Sequence, residues 1–103
     1  MIYNQPWTNY DDVKQYRLNG AWRAAKYGAV AALLRSLASE SIESVHAGIM
    51  KYNDSYPKIP FAAITVEDAE MFARMQDRNQ TITVELNLSN AVYPNTDSNN
   101  VIF

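Results

Sequence analysis

The stretch "IPFAAITVEDAEMF", residues 59–72, decides the local fold of the second half of the chain. Its proline-led apolar run stops at Thr65, and Asp68 follows three residues later at the head of a new apolar pattern. This spacing predicts a strand that passes directly into a capped helix. A helix start can hold an anion, because its first N–H groups lack partners within the helix. Glu67 and Asp68 would repel an anion there, so we interpret the joint as structural.

The preceding part of the chain predicts another helix and strand. Asn9 or Asp11 can cap the helix start, and Gly28 occupies the place of a left-handed C-terminal cap. The continuous apolar run "AVAALLRS", residues 29–36, then predicts a buried strand. The helix pattern consists of residues three and four apart: Val13, Tyr16, Gly20, Ala24 and Tyr27. Small side chains within it favour close packing on a sheet.

The remaining segments complete an α/β (α+β) domain with the order β-α-β-loop-β-α-β. Residues 1–3 are a short strand candidate, and residues 38–60 predict an irregular excursion with a short strand at 49–52. Residues 81–89 predict a strand with one buried face, because apolar and polar residues alternate there. We expect one domain that spans residues 1–103, since a chain of this length forms a single modest core.

Composition excludes several classes of protein. The net charge of -2 removes the attraction on which nucleic-acid binders and proteins of anionic membrane surfaces depend. The longest apolar stretch, residues 28–34, is far shorter than the ~20 residues of a membrane span. The chain contains no cysteine, so a disulfide framework and thiol catalysis are excluded. Its first residues lack the basic and apolar regions of a signal peptide, so we expect none within this chain.

Residues that could carry chemistry are present, but they form no recognisable catalytic or metal-binding pattern. His46 is the only histidine, whereas a zinc site needs three or four ligands. The four serines between residues 36 and 44 lack the context of a hydrolase nucleophile. We interpret the carboxylates as solvated charge: Asp11, Asp12, Glu40, Glu43, Glu67, Asp68 and Glu70. The three glycines form no phosphate-binding loop. We therefore expect no catalytic, cofactor-binding or metal-binding residue in this chain.

Three Asn-x-Ser/Thr triplets are potential N-glycosylation sites, at Asn53, Asn79 and Asn87. Each lies in or beside a segment that we expect at the surface. Together they favour a secreted or lysosomal protein.

Four stretches in this order resemble one known family: "YNQPW" (3–7), "QYRLNGAWRAAKYGAVAALLRS" (15–36), "PKIPFAAITVEDAEMFARM" (57–75) and "YPNTDSNNVIF" (93–103). They are similar to the protease-associated (PA) domain of carboxypeptidase Q-like zinc metallopeptidases, and the resemblance covers nearly the whole chain. It implies a β-rich sheet or open barrel flanked by two helices. It also implies a parent exopeptidase that hydrolyses dipeptides and contains zinc. The metal ligands and the general base of that family lie beyond the segment that resembles "NNVIF".

The resemblance thus implies a non-catalytic accessory domain of a secreted or lysosomal peptidase. Such a domain would cover or shape access to the active site, or mediate assembly, with the catalytic domain of the same polypeptide as its partner. The family has an earlier strand than the first one here, so we also expect an open sheet edge that can pair with a second copy. We expect the contact surface to comprise Ile49, Met50, Tyr52, Tyr56, Tyr93, Val101, Ile102 and Phe103. Ile49 and Val101 could equally fill the domain's own core.

Two other functions remain open on the sequence alone. One is a free-standing adaptor that binds peptides along an exposed sheet edge. The other is a small independent enzyme, which the absence of a catalytic pattern disfavours.

Overall fold

A computed structural model describes residues 10–38 and 41–100 of the chain. Within these residues the order is helix α1 (Tyr10–Lys26), strand β1 (Ala32–Arg35), strand β2 (Phe61–Ile64) and helix α2 (Val66–Asp77). The two strands are parallel, and their register places Ala32 opposite Phe61 and Arg35 opposite Ile64. The long connection between them joins the two strands as a crossover of largely irregular backbone. The fold is therefore α+β around a small parallel sheet.

Helix α1 confirms the predicted helix, but its buried face differs from the predicted one. The buried positions are Arg17, Ala21 and Ala25, which are spaced four residues apart. Tyr16 and Tyr27 belong to the predicted stripe, yet both are exposed. The physical reason is side-chain size, since the alanine face lets the helix approach the sheet more closely than a face with two tyrosines could.

Gly20 extends this close approach to strand β2. A Cβ atom built on Gly20 would lie 2.9 Å from Cζ of Phe61. That separation is shorter than side chains tolerate, so the ring of Phe61 occupies the space that any larger residue at position 20 would need.

The end of α1 follows the prediction. Gly28 has a φ of 85°, in the left-handed region that glycine adopts without strain. Its N–H donates to the carbonyl of Ala25 at 2.9 Å, as in a helix C-terminal cap. The chain then turns into β1, where only Leu34 is buried.

The joint between β2 and α2 is also as predicted. Thr65 has extended backbone, and its Oγ1 accepts the N–H of Asp68 at 3.0 Å. At the other end of α2 the N–H of Arg78 donates to carbonyls of the last turn, and Asn79 follows with a φ of 54°. The helix is thus closed at both ends by local hydrogen bonds.

Two predicted strands are wrong for the part of the chain that is described. Residues 49–52 belong to the irregular connection, where the N–H of Lys51 donates to the carbonyl of Leu18 at 2.8 Å. Residues 81–89 form no ladder with another described residue, although their sequence alternates. A strand exists only beside a neighbour that accepts and donates its hydrogen bonds, and in the described sheet β1 and β2 pair only with each other and with neither of these segments.

Four sequence predictions fall on residues outside the described ranges: the strand at residues 1–3, the cap at Asn9, the solvated charge of Glu40 and the terminal segment 101–103. The described residues therefore support an α+β fold with two helices, and the β-rich barrel stays a prediction. No helix within them is both long enough and apolar enough to span a membrane.

Candidate functional site

Arg17 is a buried cationic residue of helix α1. It projects from the buried face of α1 and is only 8% exposed. Its Nε donates to the carbonyl oxygen of Ile49 at 3.3 Å, and its Nη1 donates to the hydroxyl of Tyr10 at 3.0 Å. The carbon of the guanidinium also lies 5.8 Å from the centre of the Tyr10 ring. Arg17 therefore connects the irregular segment to helix α1.

Gly48 lets the backbone of this segment approach the guanidinium. A Cβ atom on Gly48 would lie 3.0 Å from both Cζ and Nε of Arg17. The guanidinium is thus enclosed by the Gly48 backbone and the Tyr10 ring, and its orientation is fixed.

A cavity of about 90 Å³ adjoins this guanidinium. Its wall is formed by α1, β1, β2 and the irregular segment between the two strands. Its lining residues are Arg17, Leu34, Ala47, Gly48, Met50, Phe61 and Ala63. The wall is thus apolar apart from one cationic group and backbone.

His46 and Ser36 stabilise the irregular segment beside the cavity. The imidazole of His46 stacks on the Tyr10 ring with centroids 5.6 Å apart. The buried hydroxyl of Ser36 accepts the N–H of His46 at 3.1 Å and that of Ala38 at 3.2 Å. These contacts give both residues a structural role, and His46 lies in irregular backbone as predicted.

A second, open groove of about 360 Å³ lies between α1 and the carboxyl end of β1. Tyr16, Arg35 and Ser36 are its polar residues. Arg35 pairs with Glu70 of α2 at 3.4 Å, so its charge is already balanced within the chain.

The predicted contact residues differ in their surroundings. Met50 and Tyr56 are partly buried and pack against the buried cluster of Ala21, Ala25 and Ile59, and their place in the contact surface stays a prediction. Ile49 and Tyr93 are exposed, as the prediction requires, with exposed fractions of 70% and 81%. Tyr52 is partly exposed, and its hydroxyl donates to the carbonyl of Ile59 at 2.9 Å. Val101, Ile102 and Phe103 lie outside the described residues.

The three potential glycosylation sites differ in their surroundings. Asn79 and Asn87 are exposed, and Asn79 follows the end of α2. Asn53 is half-buried, and its side-chain oxygen accepts the N–H of Ser55 at 2.9 Å within a tight turn. Asn79 and Asn87 therefore offer better access to their side chains than Asn53.

The acidic residues of the helix starts are exposed at Asp11, Asp12, Glu67 and Asp68. Glu67 accepts the N–H of Glu43 at 3.2 Å and so contacts the irregular segment. Across residues 10–38 and 41–100, no three His, Asp or Glu side chains converge as a metal site would require.

Sequence reasoning missed Arg17. The signal that could have indicated it is its position four residues before Ala21 and eight before Ala25, on a face of small residues. When such a face packs against the sheet, a cation on it is buried as well, or the helix cannot pack closely.

Comparison with known proteins gives a consistent set of relatives. Over 102 residues, 99% of the chain, it is 54% identical to carboxypeptidase Q of Mus musculus, 53% to that of Bos taurus and 52% to that of Homo sapiens. No protein-family profile matches the chain. No solved structure matches it either. The chain spans about 22% of the length of these carboxypeptidase Q relatives and is similar to one segment of them.

Proposed function

We propose that this chain is a non-catalytic, PA-like accessory domain of a carboxypeptidase Q-like zinc exopeptidase. The observation that carries the proposal is the identity of 52–54% along almost the whole chain with one segment of such enzymes. In the parent protein, the domain covers or shapes access to the active site, or mediates assembly.

The exposed apolar side chains support a role in contact. Ile49 and Tyr93 are largely exposed, and so are several large apolar residues outside the predicted surface. Soluble monomers rarely expose contiguous apolar patches beyond a few hundred Å², because such patches favour association. The partner that we propose is the catalytic domain of the same polypeptide, with a second copy as a further partner.

The proposal extends to the parent protein's setting. Zinc is the cofactor of the catalytic domain, dipeptides are the substrates, and the protein is secreted or lysosomal. Glycosylation at Asn53, Asn79 or Asn87 belongs to the same proposal, because oligosaccharide is added to such triplets on the secretory route.

The test compares this chain with the longer product of the same gene. The first step is to sequence the transcript beyond residue 103, where we expect a His-x-Asp zinc-ligand pattern. Both proteins are then assayed for hydrolysis of dipeptides with zinc, and zinc binding is measured by calorimetry. We expect zinc-dependent hydrolysis by the longer product alone. Stoichiometric sub-micromolar zinc binding or metal-dependent turnover by this chain would contradict the proposal.

The alternative is a peptide-binding adaptor that uses a sheet edge. It is favoured by the small size of the described sheet, in which β1 and β2 each have one neighbour. A stop codon directly after residue 103, together with saturable binding of extended peptides, would support the adaptor instead.

A further inference from the structure

The charge of Arg17 lacks an acidic partner within the described structure. The ion pairs among residues 10–38 and 41–100 join Lys14 with Asp11, Arg35 with Glu70, and Lys58 with Asp54. Arg17 takes part in none of them, although it is more than nine-tenths buried. Removing a charge from water without a counter-charge is unfavourable by several kcal/mol. The uncharged partners, a carbonyl and a tyrosine, offset part of this penalty.

The guanidinium retains donors for another group. A guanidinium has five N–H donors, as a general property of arginine. Those on Nε and Nη1 that bond to Ile49 and Tyr10 account for two of them. The remaining N–H donors are on the same Arg17 side chain, which lines the cavity of about 90 Å³. The cavity is therefore a small apolar space whose wall contains an oriented guanidinium with further N–H donors.

We propose that this cavity binds a carboxylate group, held by the remaining N–H donors of Arg17. The planar fork of a guanidinium matches the two oxygens of a carboxylate, and such charge-assisted bonds are stronger than bonds between neutral groups. The proposal requires only this chain and does not depend on the proposed function.

The wall of the cavity distinguishes a carboxylate from a phosphate. Apart from Arg17 the lining consists of apolar side chains and a glycine, among them Leu34, Met50 and Phe61. A phosphate carries up to two charges and would need further donors, whereas a carboxylate carries one charge on a carbon that can continue into an aliphatic chain. A short aliphatic acid or the C-terminus of a peptide has this chemistry.

Gly48 is a positioning residue for this site. Its missing side chain allows the backbone to lie against the guanidinium, since a Cβ atom would approach Cζ to 3.0 Å. Replacing it with alanine would displace the fork without removing its charge. The variant Gly48→Ala therefore tests orientation separately from charge.

The experiment is an NMR titration of the isotope-labelled chain with acetate, at constant pH and ionic strength. Acetamide, which has the same shape without the charge, is titrated in parallel. We expect saturable shifts of the Arg17 Nε–H signal and of the Gly48 and Ile49 amides with acetate alone. Equal shifts with acetamide, or no saturation with acetate, would overturn the proposal.

Variants and a second ligand pair complete the test. Arg17→Met should weaken acetate binding at least about tenfold, because charged hydrogen bonds are lost. Arg23→Met removes an exposed arginine of the same helix and should leave binding unchanged. If Arg17→Met does not fold, the acetamide titration still tests whether binding requires a charged ligand, and Gly48→Ala still tests whether it requires the orientation of the guanidinium. N-acetylglycine and its methylamide then identify the source of the carboxylate. Binding of N-acetylglycine but not of its methylamide indicates a peptide C-terminus. Binding of acetate but of neither glycine derivative indicates a small free acid.

Discussion

At position 28 the backbone conformation, not a side-chain contact, limits which residue the chain accepts. The φ of Gly28 is 85°, and no atom of another part of the chain lies within 4 Å of the place where its Cβ would be. Any loss of stability on substitution therefore arises from backbone strain alone. This makes the position a clean test of how α1 ends.

We expect Gly28→Val to lower the free energy of unfolding by roughly 1–3 kcal/mol, because a β-branched residue is strained in the left-handed region. Gly28→Asn is the matched control, since asparagine tolerates this region better, and it should lose less. Denaturant unfolding of the three proteins measures both effects. Equal stability of the valine variant and the parent chain would show that α1 ends by another conformation.

At Gly20, by contrast, the space available for a side chain limits which residue the chain accepts. Its φ is helical, but a Cβ atom would lie 2.9 Å from the ring of Phe61. Alanine is favoured over glycine within a helix by about 1 kcal/mol. Overpacking against a half-buried ring costs about 1–3 kcal/mol and opposes that gain.

We therefore expect Gly20→Ala to be neutral or destabilising in the parent chain and stabilising in the Phe61→Leu background. The coupling between the two positions should be at least about 0.5 kcal/mol in a double-mutant cycle. A coupling near zero would mean that the ring moves aside freely, and that Gly20 does not set the distance between α1 and β2.

At the scale of elements, the cap of α2 is the contact that joins strand to helix. Thr65 Oγ1 accepts the N–H of Asp68, and α2 has no buried residue of its own. A helix with so little burial depends strongly on its local hydrogen bonds, because most helices derive their stability from packing.

Thr65→Ala should lower stability by about 0.5–2 kcal/mol, whereas Thr65→Ser keeps the hydroxyl and should lose less. Hydrogen exchange of the α2 amides, combined with denaturant unfolding, measures the effect where it arises. If alanine and serine behave alike, the hydroxyl is not the group that holds the start of α2.

The elements that could be predicted from the sequence are those set by near neighbours. Thr65 and Asp68 are three residues apart, and Gly28 directly follows the helix that it ends, so local patterns suffice. The strand at 81–89 could not be settled in this way, because a ladder depends on a neighbour that alternation does not identify. Arg17 was missed for the same reason: its partners Tyr10 and Ile49 lie 7 and 32 residues away. The rotation of the α1 face likewise depends on what the helix packs against.

At the scale of the whole molecule, the chain is more extended than an ordinary domain. Its radius of gyration is 16.4 Å, compared with ~13 Å for a compact domain of about 100 residues. The buried apolar residues of the described part are few, and two of the four are alanines: Ala21, Ala25, Leu34 and Ile59. A chain with this little internal burial gains stability from a partner that covers its exposed apolar residues.

We therefore expect the isolated chain to self-associate as its concentration rises, because its exposed apolar residues favour association. Sedimentation velocity over a range of concentrations measures this directly.

The double variant Ile49→Ser with Tyr93→Ser should reduce association, since both residues are exposed members of the predicted contact surface. Val30→Ser is the matched control, because Val30 is 86% exposed but lies outside that surface, and it should leave association unchanged. A chain that stays monomeric at high concentration would contradict the assignment of a contact surface. An equal effect of Val30→Ser would show that association is non-specific and that Ile49 and Tyr93 have no special part in it.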